Sequence, residues 1–284
     1  MAEVLPYAPL PIEQDGIRYA YGPHSSPRPE VRPGHTDEFE LDHSTRYPGN
    51  SRRLWIHTPH GHHPDEPAAV IFFNDGWLYL DPDGDVRAGT VLDNLVAAGA
   101  IPPTIGVFVD PGIHLVDGAV QKNRNVEYDA FDARYADFLL HEVLPLVESR
   151  FAVSPEARMR AICGGSSGGN AAFTAAWMRP ESIGNVIALN SSFAQMPGGN
   201  PYPRLLAEAP RHPLRIFLHA AHRDLNWNQP TSNWFAENLK TAAALAENGY
   251  DFRLVVGDGG HSPNHGGVLL PDALRWVWRD QSAD

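Results

Sequence analysis

The chain has little or none of three features that would each point to a particular class of protein. Among its 284 residues only Cys163 is a cysteine, so no internal disulfide can form and the fold does not need an oxidising compartment. Lys and Arg number 22 against 34 Asp and Glu, and the net charge of -12 repels a phosphate backbone. No apolar run reaches the roughly 18 residues of a membrane-spanning helix. We therefore expect neither a nucleic-acid-binding protein nor a membrane protein.

The two ends of the chain differ in composition. The first residues lack the basic segment and apolar core of a secretory signal, which favours a cytoplasmic location. Residues 1–37 are rich in proline, glycine and charge and show no steady period, so we predict an extended arm there. Residues 38–284 suit one catalytic domain, because the composition is ordinary for a globular protein and the length fits.

Beyond the arm, short β-rich runs alternate with helical patterns. Strands are predicted at 53–57, 68–73, 104–109, 159–163, 186–189, 214–218 and 252–256. Helices are predicted at 91–98, 135–147, 167–178, 234–246 and 270–278. This alternation predicts an α/β fold, with a mostly parallel central sheet covered by helices on both faces. In such sheets, functional sites form at the carboxyl ends of the strands.

A serine lies in a glycine-rich turn between a predicted strand and a predicted helix. The stretch Gly164-Gly165-Ser166-Ser167-Gly168-Gly169 contains the G-x-S-x-G pattern of a nucleophile elbow. Two registers fit the pattern, one with Ser166 and one with Ser167 as the nucleophile. We favour Ser166, because it directly follows the strand. In that register the Ser167 amide is one donor to the oxyanion that forms during acyl transfer.

A serine nucleophile needs a base and an orienting acid, which follow it along the chain in this kind of fold. His261 lies in a glycine-rich turn after the last predicted strand, and His265 is the alternative base. Asp224 follows the preceding strand and is the predicted acid. Asp258 is nearer to His261 in sequence, but it lies on the wrong loop.

The second oxyanion donor is expected in the loop after an early strand, where Asn74-Asp75-Gly76-Trp77 stands. Gly76 lets the backbone turn an amide toward the serine, but the residues alone do not decide between the amides of Gly76 and Trp77. The Trp77 side chain is a candidate wall of the pocket, with core packing as the alternative. Trp227, close to the predicted acid, is either a stacking surface for a substrate or part of the packing.

With these residues identified, the chain resembles the esterase family that includes enterochelin esterases and esterase D-like enzymes. The resemblance spans about residues 45–280 and rests on five segments: 73–76, 123–129, 142–145, 164–169 and 259–261. It implies an α/β-hydrolase fold and a carboxyl-ester hydrolase that uses Ser166 and His261, with Asp224 at the acid position. It also implies that Arg124 and Glu127 lie near the site, either as a buried pair or with Arg124 contacting an anionic or catecholate substrate.

One segment departs from the family pattern. Relatives usually carry a glycine after the acid-bearing strand, whereas this chain has Ala220-Ala221-His222-Arg223. The bulkier and more basic loop is expected to alter the pocket. We therefore add His222 to Trp77, Arg124 and Trp227 as predicted substrate contacts.

The predicted partner is a small-molecule ester or lactone, of siderophore-like, aromatic or carbohydrate type. No metal or other cofactor is predicted, because the histidine-rich run 57–63 is interpreted as a loop rather than a metal site. Two alternative functions also fit the sequence. One is an acyltransferase with the same three catalytic residues, and the other is a non-catalytic binding protein on a hydrolase fold.

Overall fold

A central sheet of eight strands organises the protein. The structure is a computed structural model that describes residues 6, 7, 9, 10 and 16–281. Its strands are β1 His35–Leu41, β2 Arg52–Thr58, β3 Ala69–Asn74, β4 Thr104–Val109, β5 Ile113–Val116, β6 Ala119–Lys122, β7 Arg160–Gly165, β8 Asn185–Leu189, β9 Arg215–Ala221 and β10 Asp251–Gly257. The sheet order is β1-β2-β4-β3-β7-β8-β9-β10, with β5 and β6 forming a separate hairpin. β2 runs antiparallel to both of its neighbours, β1 and β4. The six strands β4, β3, β7, β8, β9 and β10 are parallel to one another.

Helices connect the strands and cover both faces of the sheet. They are α1 Gly76–Leu80, α2 Ala88–Ala97, α3 Arg124–Tyr128, α4 Arg134–Phe138, α5 Leu144–Glu148, α6 Ser167–Met178, α7 Tyr202–Glu208, α8 Trp234–Glu247 and α9 Pro263–Val277, with a π-helical turn at Leu139–Val143 between α4 and α5. Helices α4 to α8 pack on one face, and α1, α2 and α9 pack on the other.

The core consists of two apolar layers, one on each side of the sheet. On β3, Val70 and Phe72 face the first layer, whereas Ala69, Ile71 and Phe73 face the second. Successive strand residues point to opposite faces, so a strand buried on both sides must be apolar throughout. This explains the continuous apolar runs of the sequence. The predicted fold class is confirmed.

Some elements differ from the sequence expectations. The hairpin β5–β6 carries no apolar face toward the core, so its residues gave no periodic signal. Helix α9 begins at Pro263 rather than at residue 270. Gly266 and Gly267 sit in its first turns because of close packing, since a Cβ on Gly267 would lie 1.9 Å from the Asp85 carbonyl oxygen. Such a contact between distant segments cannot be read from local sequence.

Residues 16–34 of the arm lie against the body of the protein. The Asn94 side chain on α2 donates hydrogen bonds of 3.0 and 2.9 Å to the carbonyls of His24 and Ser26. β1 begins at His35, two residues before the predicted end of the arm. The residues at 1–5, 8 and 11–15 lie outside the described part of the chain. Across the described residues, no helix combines the length and apolar character needed to cross a membrane.

Candidate active site

Ser166 occupies a strained turn between β7 and α6. Its backbone angles are φ 59° and ψ -130°, a conformation that residues with a side chain rarely adopt. The turn is held from both sides: the Ser166 amide donates to the Leu189 carbonyl at 3.0 Å, and the Ser192 amide donates to the Ser166 carbonyl at 3.2 Å. This is the backbone geometry of a nucleophile elbow.

The glycines around Ser166 are required by close approach of strand and helix. A Cβ on Gly164 would lie 2.3 Å from the carbonyl oxygen of Gly168, in the first turn of α6. A Cβ on Gly169 would lie 2.3 Å from Ser191 Oγ. A side chain at Gly164 would push α6 away from β7, and one at Gly169 would push α6 away from the segment after β8, so the elbow depends on both glycines.

The two serines of the turn have different surroundings. Ser167 is buried, and its hydroxyl donates to Asp129 Oδ2 at 3.1 Å. Ser166 instead lines a cavity of roughly 280 Å³, and His261 lines the same cavity. This difference supports the register with Ser166 as the nucleophile.

The structure brings the side chains of His261 and Asp224 into contact. Their loops follow the adjacent parallel strands β10 and β9, so both leave the same edge of the sheet. His261 Nδ1 lies 2.7 Å from Asp224 Oδ1, and Asp224 is fully buried. A carboxylate only accepts hydrogen bonds, so Nδ1 donates the proton and Nε2 is left as the basic nitrogen. The buried Trp234 ring packs nearly perpendicular to the His261 ring, with ring centroids 5.1 Å apart.

The alternative bases and acids are engaged elsewhere. His265 is buried, with Nε2 3.0 Å from the Ile17 carbonyl, and burial lowers its pKa. Asp258 contacts Tyr19, whose hydroxyl accepts from the Asp258 amide at 2.8 Å. His219 is fully buried on β9, and burial lowers its pKa to about 3, so its ring is neutral.

The two candidate oxyanion donors in the loop after β3 are no longer equivalent. The Trp77 amide donates to Asp110 Oδ1 at 3.0 Å, which argues against Trp77 as an oxyanion donor. Gly76 stays a candidate. The Ser167 amide also stays a candidate, because it belongs to the first residue of α6 and has no acceptor within the helix.

A bidentate ion pair at the cavity was not foreseen from the sequence. Arg124 Nε lies 2.6 Å from Asp75 Oδ1, and Nη2 lies 2.8 Å from Oδ2. Burial opposes the charge of Arg124, but the bonds to Asp75 outweigh burial and raise its pKa. Arg124 therefore does not pair with Glu127, which is instead bonded to Arg52 at 2.6 and 3.1 Å with both side chains buried. The sequence placed Asp75 two residues after the predicted strand 68–73, in a segment that carries the family resemblance, but gave no signal for its ion-pair partner.

The predicted substrate contacts separate into two groups. Arg124 lines the cavity of Ser166 and His261, and its contact with a substrate stays a prediction. Trp77 is half-exposed and lines an adjoining cavity of roughly 690 Å³, which shares Asp75, Leu78 and Arg124 with the first.

His222 and Trp227 are not among the residues that line either cavity. The His222 amide donates to the Gly257 carbonyl at 3.1 Å, and the guanidinium carbon of Arg223 lies 4.5 Å from the centre of the Trp227 ring. These contacts involve the loop that carries Asp224, and substrate contact by His222 or Trp227 stays a prediction. Ala220 and Ala221, expected in that loop, are buried at the end of β9.

Comparison with known proteins finds structures with the same fold. The enterochelin esterase from Shigella flexneri is 25% identical, with a TM-score of 0.71 over 89% of this chain and 60% of that chain. A ferulic acid esterase is 19% identical, with a TM-score of 0.68 over 87% of this chain and 99% of that one. The feruloyl esterase module from Clostridium thermocellum is 14% identical, with a TM-score of 0.64 over 97% and 99% of the two chains.

This chain thus spans 60% of the length of the enterochelin esterase. The family model described as putative esterase matches residues 45–276, which is most of the chain. The chain therefore belongs to the putative esterase family and has the α/β-hydrolase fold.

Proposed function

We propose that the protein is a serine carboxyl-ester hydrolase that works through an acyl-enzyme. One observation carries the proposal. Ser166, in the strained elbow, lines the same cavity as His261, and His261 is bonded to the buried Asp224 at 2.7 Å. A nucleophile, a base and an orienting acid at the carboxyl ends of three strands form the arrangement that acyl transfer requires.

The reaction follows from the position of each group. Ser166 Oγ attacks the carbonyl carbon while His261 Nε2 takes its proton. The amides of Ser167 and Gly76 stabilise the oxyanion of the tetrahedral intermediate. Collapse of that intermediate breaks the ester bond, and His261 returns the proton to the leaving alcohol. Water then attacks the acyl-enzyme with the same base, which releases the acid and restores Ser166.

Asp224 acts through His261. As a buried carboxylate it fixes the tautomer with the proton on Nδ1 and stabilises the imidazolium that forms during each step. Oδ2 of Asp224 has no hydrogen-bond partner among the described groups. The charge of the carboxylate therefore acts mainly on the His261 ring and on the Leu225 amide, which donates to Oδ1 at 2.7 Å.

The two cavities support a small-molecule ester or lactone of siderophore-like, aromatic or carbohydrate type. The cavity at Ser166 is bounded by apolar groups of Leu78, Tyr79, Leu189 and Pro263. It suits a compact apolar group beside the scissile bond. The larger cavity carries more charged side chains and suits a polar remainder of the substrate. Among the structural relatives, one was determined with enterobactin and another with sinapinate.

The nucleophile is tested with two adjacent variants. Ser166→Ala should abolish labelling by a fluorophosphonate probe and lower hydrolysis of p-nitrophenyl acetate by about a thousandfold or more. Ser167→Ala should keep both activities and lose only about 1 kcal/mol of stability with its buried hydrogen bond. The reverse pattern would assign the nucleophile to Ser167.

The same assays separate the other possible functions. A wild-type protein that neither reacts with the probe nor hydrolyses esters would indicate a binding protein. Preferential transfer of the acyl group to an added alcohol, rather than to water, would indicate an acyltransferase. Comparison of enterobactin, methyl ferulate and an acetylated sugar as substrates then distinguishes the ester classes.

A further inference from the structure

The loop that carries His261 has little rigidity of its own. It connects β10 to α9 through Asp258, Gly259, Gly260 and Ser262, and Gly259 has a positive φ of 83°. Glycines permit many backbone conformations, so the position of His261 depends on contacts made by the loop. On one side the Arg223 amide donates to the Gly259 carbonyl at 3.0 Å, which ties the loop to that of Asp224.

On its other side, the loop is held by contacts with the arm, which lies more than 230 residues away in sequence. Before His261, the Tyr19 hydroxyl accepts from the Asp258 amide at 2.8 Å and lies 3.4 Å from the Asp258 carboxylate. After His261, the Tyr19 amide donates to the Asn264 side chain at 2.7 Å, and that side chain donates back to the Tyr19 carbonyl at 3.2 Å.

Residues 17–19 of the arm also cover His265, the residue of α9 that follows Asn264. His265 Nε2 lies 3.0 Å from the Ile17 carbonyl, and the Tyr19 ring packs on the His265 ring at 4.7 Å between centroids. Asn264 and His265 are buried under these contacts, whereas Tyr19 is partly buried. Tyr19 thus contacts residues on both sides of His261, Asp258 in the loop and Asn264 at the start of α9.

We propose that Tyr19 is a positioning residue, through which the arm sets the place of the His261 imidazole. The inference rests on the proposed function, in which His261 is the general base. Tyr19 holds Asp258 and Asn264, so the loop between them cannot drift from the elbow that carries Ser166. A misplaced base slows proton transfer in every step, while binding in the cavity is preserved because Tyr19 does not line it.

The test compares two tyrosines of the same arm. Tyr19→Phe removes both hydroxyl contacts to Asp258 but keeps the ring on His265 and the backbone bonds to Asn264. Tyr21→Phe is the matched control, because it removes a 2.9 Å hydrogen bond to the Asp85 carbonyl and does not touch the His261 loop. Active-site titration gives the fraction of folded, competent sites, so rates can be compared per site.

Per titrated site, Tyr19→Phe should lower both kcat for p-nitrophenyl acetate and the rate constant for fluorophosphonate labelling by about threefold to tenfold. Its KM for p-nitrophenyl acetate should stay within about twofold of the wild-type value. Tyr21→Phe should match the wild type in all three quantities. Tyr19→Ala, which also removes the ring from His265, should be slower than Tyr19→Phe. A Tyr19→Phe protein with fewer titratable sites but a wild-type rate constant would reduce Tyr19 to a structural residue and overturn the inference.

A third variant separates this inference from the proposed function. His261→Ala should abolish labelling. If it labels at the wild-type rate, then His261 is not the base, and both the proposed mechanism and the role of Tyr19 fail. If His261→Ala is inert while Tyr19→Phe reacts like the wild type, then the proposed function stands and only the inference about Tyr19 is overturned.

Discussion

Because β7 approaches α6 closely, Gly164 is the position of the elbow most sensitive to substitution, apart from Ser166 itself. In Gly164→Ala the new Cβ would lie 2.3 Å from the Gly168 carbonyl oxygen and 2.4 Å from its carbon. Real Cβ atoms essentially never come within 3.0 Å of another atom in this way, so the end of α6 would have to retreat by about 0.7 Å. The obstacle is backbone, so no side-chain rotation can relieve it.

Two consequences follow for Gly164→Ala, one on stability and one on rate. Overpacking in a well-packed region costs about 1–3 kcal/mol, which should appear as a lower urea midpoint. A displacement near 1 Å between reacting groups lowers rates by up to roughly a hundredfold, so we expect kcat/KM for p-nitrophenyl acetate to fall by about 10- to 100-fold per titrated site.

The control is a glycine in a helix away from the elbow. A Cβ on Gly89 in α2 would meet side-chain atoms of Leu80 and His57 at 3.5 Å, which is ordinary contact. Gly89→Ala should therefore keep wild-type kcat/KM and be unchanged or more stable by up to about 1 kcal/mol. If Gly164→Ala behaves like Gly89→Ala in both assays, then the packing argument for the elbow is wrong.

Two further predictions concern the buried groups behind His261. Asp224→Asn keeps the size of the side chain but loses the charge that orients His261, so kcat for p-nitrophenyl acetate should fall by roughly 10²- to 10⁴-fold; retention of a third of the activity would mean that another group orients the ring. Burial lowers the pKa of His219 from 6.5 to about 3, so between these pH values the unfolded chain binds a proton that the native protein does not. Its contribution therefore makes the free energy of unfolding fall as the pH drops through that window, by at most about 1.4 kcal/mol per pH unit. Urea titrations at several pH values should show a shallower fall in His219→Leu than in the wild type, and equal slopes would contradict the buried neutral ring.

Much of the fold and the central members of the site follow from local sequence patterns. Continuous apolar runs such as residues 68–73 mark strands buried on both faces, and the predicted helix 167–178 matches α6. The G-x-S-x-G turn and the order of serine, acid and histidine identify Ser166, Asp224 and His261 as candidates, because strand order determines which loops share one edge of the sheet.

Other parts of the site depend on contacts between segments far apart in the chain. The burial of Ser167 on Asp129 favours Ser166 over its neighbour, which the overlapping glycine patterns could not do. The Trp77 amide binds Asp110 rather than remaining available to an oxyanion. Arg124 pairs with Asp75, 49 residues away, and not with Glu127, three residues away.

The arm shows most clearly which features follow from local sequence and which depend on contacts between distant segments. Sequence alone indicated an extended, proline-rich segment at 1–37, since proline and glycine act locally on the backbone. Only the folded chain brings Tyr19 to Asp258 and Asn264, at separations of 239 and 245 residues. Local preferences determine which elements form and in which order, whereas hydrogen-bond partners are selected when the packed sheet and helices bring distant loops together.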